Sequence, residues 1–68
     1  MDKLRTYIKL TLKWLWNAEA DVDLICDEIY DSVMDSFYLN DCIRAKGYLA
    51  IDDVQVAVRN VLLNKILN

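Results

Sequence analysis

The chain has no histidine, no proline and a single glycine, Gly47. Without histidine it lacks the one side chain whose ordinary pKa lies near neutrality, the usual general base or proton shuttle. Ser32 and Ser36 then have only carboxylates within reach of a helix turn, so nucleophilic chemistry has no ready activator and the chain is not expected to be an enzyme. Zinc calls for clustered cysteine and histidine, and calcium for a glycine-turned loop of alternating acidic and amide residues. Neither pattern is present, and no glycine-rich run could cradle a phosphate, so no metal or cofactor is expected. The two cysteines, Cys26 and Cys42, form no disulfide framework, and they read as small buried hydrophobes in a reducing compartment. No segment reaches the roughly 20 apolar residues that cross a bilayer. Lys9 and Lys13 break the apolar run of the first 16 residues, which argues against a secretion signal. A cytoplasmic protein without a membrane partner is the expectation.

What the chain does have is apolar side chain. Hydrophobic residues make up 56 % of 68, ample to offset the entropy of folding and more than so small a domain can hide. A single domain over 1–68 is therefore expected to carry some of its apolar residues in an interface.

The pattern is helical. Residues 2–17 place Leu4, Tyr7, Ile8, Thr11, Leu12 and Leu15 on one stripe, with Arg5, Lys9 and Lys13 in a row at four-residue spacing. An alternation from Ile8 to Trp16 also suits a strand, but the helix accounts for more residues. Trp14, at the edge of the stripe, is expected in the core. Residues 21–38 give the clearest signal: Val22, Ile25, Cys26, Ile29, Val33 and Phe37 line one face, and Asp23, Asp27, Asp31 and Asp35 line another, with Glu28 beside them. Asn40 or Asp41 is expected to cap a short helix over 41–46, which Gly47 would end in the left-handed conformation. Asp52, with Gln55 three residues on, predicts a capping box opening a last helix over 53–67. A strand through Val54, Val56 and Val58 competes there. The expected fold is all-α: a compact domain of three to four helices, beginning with an antiparallel hairpin of 2–17 on 21–38.

Two faces then need partners. The acidic residues between 19 and 35 include no base among them, and like charges one turn apart are mildly destabilising. In an antiparallel hairpin Arg5, Lys9 and Lys13 would run beside Asp31, Asp27 and Asp23. Otherwise Asp23, Asp27, Glu28, Asp31 and Asp35 form a face for a basic protein, imitating the charge of a nucleic acid strand. The last helix carries a second apolar stripe, Val56, Leu63 and Leu67, away from its main face of Ile51, Val54, Ala57, Val58, Val61, Leu62 and Ile66. Together with Leu10 and Trp16, that stripe predicts self-association, with a homodimer as the simplest assembly. A small regulatory or protein-interaction module is the leading reading. The alternatives are an acidic inhibitor and a dimeric helix-turn-helix protein; for the last, basic and amide residues are few, which argues against nucleic acid as the partner.

Overall fold

Four helices account for most of the chain: α1 (Lys3–Trp16), α2 (Val22–Met34), α3 (Phe37–Lys46) and α4 (Ile51–Leu67). The computed structural model describes residues 2–16 and 21–67, apart from the side chains of Trp16, Ile66 and Leu67. Among the described residues there is no strand, so 8–16 and 54–58 are both helical. The expected turn at Asn17 to Ala20 lies outside the described residues.

One apolar core joins α1, α2 and α4. Ile8, Leu12, Cys26, Ile29, Val33, Val54, Ala57 and Val58 are buried there, and Leu39 reaches in from α3. These residues recur at three- and four-residue spacing because that spacing returns a helix to the same side. The molecule is thin, 17 Å along its shortest axis against 34 and 29 Å along the others. Helices about 10 Å across leave room in that dimension for a single apolar layer, which drives the surplus outward.

Thr11 is the buried polar residue of α1, and its hydroxyl donates to the Tyr7 carbonyl at 2.8 Å. Among the described residues no buried side-chain nitrogen or oxygen lacks a partner. Trp14 departs from expectation: it is 72 % exposed rather than in the core. The inward arc of α1 is centred on Ile8 and Leu12, and Trp14 lies about 60° beyond Thr11 at the arc's edge.

The boundary between α2 and α3 also differs from the sequence reading. The second helix stops at Met34 instead of running to residue 38, and α3 starts at Phe37 instead of 41. Ser36 is the cause. Its backbone is extended, and its hydroxyl accepts the Leu39 N–H at 3.2 Å, capping α3. Asn40, expected as a cap, instead braces the turn by donating to the carbonyls of Met34 and Ser36 at 3.1 and 2.8 Å. Phe37, expected on the apolar face of α2, is consequently turned outward and 88 % exposed. Replacing Ser36 with alanine is expected to lower stability by about 1 kcal/mol. Urea unfolding followed by circular dichroism measures it, and an unchanged midpoint would remove Ser36 from this role.

Gly47 ends α3 as expected, with φ 82° and its N–H donating to the Ile43 carbonyl at 2.7 Å. The last helix starts two residues early, at Ile51. The Val54 N–H donates to the Ala50 carbonyl at 3.2 Å, so helical bonding is already established before Asp52. Asp52 therefore stands in the first turn and is not its cap. Its neighbour Asp53 turns inward, buried, and accepts from Lys46 Nζ at 2.9 Å. That pair ties the end of α3 to the start of α4.

Candidate functional site

The hairpin of α1 on α2 is antiparallel, and its register is visible in the polar contacts along its edge. Arg5 pairs with Asp27, and Lys9 Nζ lies 2.8 Å from Asp23. Tyr30 donates its hydroxyl to Asp2, and the Arg5 guanidinium sits over the Tyr30 ring at 4.9 Å. The alignment is one helical turn away from the expected one, in which Arg5 met Asp31, Lys9 met Asp27 and Lys13 met Asp23. Exposed ion pairs contribute too little to choose a register. The packing of Leu4 and Ile8 of α1 against Val22, Ile25, Cys26 and Ile29 of α2, which this register sets side by side, chooses it, and the charges take whatever opposite is then in reach.

Asp2 does two jobs at the start of α1. One carboxylate oxygen accepts the N–H groups of Leu4 and Arg5, and the other takes the Tyr30 hydroxyl. The Tyr30 hydrogen bond holds the Asp2 carboxyl below its ordinary value, and the hydrogen bond from Lys9 does the same for Asp23. In return Asp27 holds Arg5, Asp23 holds Lys9 and Asp53 holds Lys46 more firmly in their charged forms. Each group then contributes stability with a definite sign. Lowered carboxyls stabilise the fold above their ordinary value of 3.8 and lose that contribution as pH falls through the lowered value. Raised lysines stabilise it below their ordinary value of 10.5 and lose that contribution as pH rises through the raised value. The melting temperature is expected to be flat near neutrality and to drop below about pH 4 and again above about pH 10. Thermal melts across that range test this, and Asp23→Asn should shrink the acid drop.

Of the acidic face expected from the sequence, Asp23 and Asp27 are thus occupied within the chain. Glu28, Asp31 and Asp35 are exposed, and among the described residues none of them meets a cation within an ion-pair distance. Among the described residues no group of three or more potential metal ligands occurs. Cys26 is fully buried, and burial pushes its thiol up, away from the reactive thiolate.

The apolar surface is more extensive than the sequence suggested. Val56 is 37 %, Leu10 48 % and Leu63 51 % exposed. Trp16 and Leu67, also expected there, have side chains outside the described residues. What the sequence reading missed is the contribution of Trp14 and Leu15. Both line an open groove of about 320 Å³ between α1 and α4, facing Gln55, Val56 and Arg59. The missed signal was the width of the apolar sector in α1: Leu10 and Trp14 widen it past what one neighbouring helix can cover, and Leu15, although on the main stripe, is left 44 % exposed.

A second groove, about 470 Å³ and more polar, lies where α2 meets α4. Ser36, Phe37, Asn60 and Lys65 are among the residues lining it. No cluster of perturbed acids or bases accompanies either groove.

The chain's candidate surface is therefore the pair of helix faces, on α1 and α4, that line the first groove. Comparison with protein-family models, with characterised proteins and with solved structures finds no match. The function has to be read from the surfaces themselves.

Proposed function

We propose that this chain is a small interaction module that self-associates through the apolar surface shared by α1 and α4. The observation that carries the reading is the convergence of exposed Trp14 and Leu15 with Val56 across one groove. Large aromatic and aliphatic side chains left in water at adjoining positions are costly to a soluble monomer and are the usual anchors of interfaces. A second copy is the simplest partner, because closed two-fold pairing covers the same patch on both chains. Two free cysteines, one of them buried, suit a reducing compartment, and we place the protein in the cytoplasm on that ground.

Sedimentation at micromolar concentration should give a mass near twice 8.0 kDa. Replacing Trp14 and Leu63 together with serine should return the monomer with helicity retained, since both side chains are exposed. A monodisperse monomer in the parent chain would overturn the reading.

A second reading has one observation in its favour. Glu28, Asp31 and Asp35 stay exposed beside the paired Asp23 and Asp27, so a shorter acidic face remains for a basic protein. Charge reversal at Asp31 and Asp35 would abolish capture of such a partner without altering self-association. The helix-turn-helix reading draws less support. Lys46, one of its few cations, is engaged with Asp53, and Asp52 places a negative charge at the start of what would be the recognition helix.

A further inference from the structure

On α4, the exposed residues Asp52, Val56, Arg59 and Leu63 fall in one strip about 60° wide, because steps of four, three and four residues return a helix to nearly the same side. Along the strip the order is acid, apolar, base, apolar. Beside it, Trp14 and Leu15 of α1 line the groove they share with Val56 and Arg59. Asp53 is no part of this surface, being buried against Lys46. Among the described residues neither Asp52 nor Arg59 takes part in an ion pair, so no internal pair must break for them to meet a partner.

We infer that two copies pair through α4 in antiparallel fashion about a two-fold axis beside Val56, with Arg59 of each copy set against Asp52 of the other. The inference rests on the self-association proposed above and specifies its geometry. Asp52 and Arg59 stand about 10 Å apart along the helix, with Val56 close to their midpoint. An antiparallel two-fold at that midpoint brings Val56 to Val56 and forms the Arg59 to Asp52 pair twice. Parallel pairing in register sets Asp52 on Asp52 and Arg59 on Arg59. Like charges opposed in an interface are unfavourable, so the charge order selects the antiparallel arrangement even though each exposed pair contributes little affinity.

Cysteine crosslinking distinguishes the geometries, in a Cys42→Ser chain that leaves only the buried Cys26. V56C should form a disulfide-linked dimer on mild oxidation. L63C should not, because antiparallel pairing about Val56 holds the two copies of that position about 20 Å apart, far beyond the Cα separation of about 6 Å that a disulfide spans. Independently, Asp52→Arg and Arg59→Asp should each weaken the dimer about fivefold at low salt, and the two combined in one chain should restore it. Efficient L63C linkage without V56C linkage would overturn the antiparallel geometry. A stable dimer indifferent to both charge changes would overturn it too, while leaving self-association intact. A parent chain that is monomeric overturns both. Should V56C lose helicity, the charge exchange decides alone.

Discussion

Truncating Ile29 to alanine is expected to cost about 2–5 kcal/mol and to leave the chain close to its unfolding limit. Ile29 is 1 % exposed and belongs to the layer formed with Ile8, Leu12, Val33, Val54, Ala57 and Val58. Natural domains retain roughly 0.05–0.15 kcal/mol per residue, which for a chain of 68 residues amounts to about 3–10 kcal/mol. One truncation therefore removes about a fifth of the total at the least and most of it at the upper end. The thinness of the molecule makes the loss harder to recover, since there is no second apolar layer to collapse into the cavity. Leu24→Ala provides the contrast: Leu24 stands on the same helix but is exposed, and its loss should change stability by about 0.5 kcal/mol or less. Urea denaturation of both variants at one fixed protein concentration makes the comparison, because association would otherwise shift the midpoint. A cost below about 1 kcal/mol for Ile29→Ala would contradict its place in the core.

Leu39→Ala should cost nearly as much, about 2–4 kcal/mol, but through a different route. Leu39 is the buried residue of α3, whose remaining hold on the body comes from half-buried Cys42 and Ile43 and from the Lys46 to Asp53 bridge. Removing it takes away most of the apolar anchorage of one helix while the layer among α1, α2 and α4 stays complete. The expected result is local: amides of α3 should exchange with solvent at a much lower free energy than those of α2 and α4. Native-state hydrogen exchange resolves this residue by residue. If α3 and α2 lost protection together and equally, α3 would be an integral part of the core and not a separable flap upon it.

The acidic row of α2 and the basic row of α1 were both legible in the sequence, since each repeats every four residues. Their pairing was legible only as antiparallel. Apolar packing of Leu4 and Ile8 against Val22, Ile25, Cys26 and Ile29 sets the register, and that depends on side-chain shape rather than on charge. Likewise, the break at Asp35 and Ser36 was hidden because the spacing from Val33 to Phe37 continues the apolar period of α2. Only the extended backbone at Ser36, with its hydroxyl on Leu39 N–H, reveals that a new helix begins there. Trp14 was misplaced for a related reason. Periodicity assigns a residue to a sector of a helix, whereas its burial depends on whether another element reaches that sector.

The sequence by itself determined that the described chain is helical, where α1 and the final turn at Gly47 lie, and that its apolar content exceeds one small core. It did so because helical period, the left-handed freedom of glycine and surface-to-volume scaling are local or compositional facts. Tertiary structure decided the register of the hairpin, the inward turn of Asp53 toward Lys46, and the meeting of Trp14 and Leu15 with Val56 in one groove. These depend on which helix faces are left uncovered after packing, and that is a property of the assembled layer rather than of any segment within it.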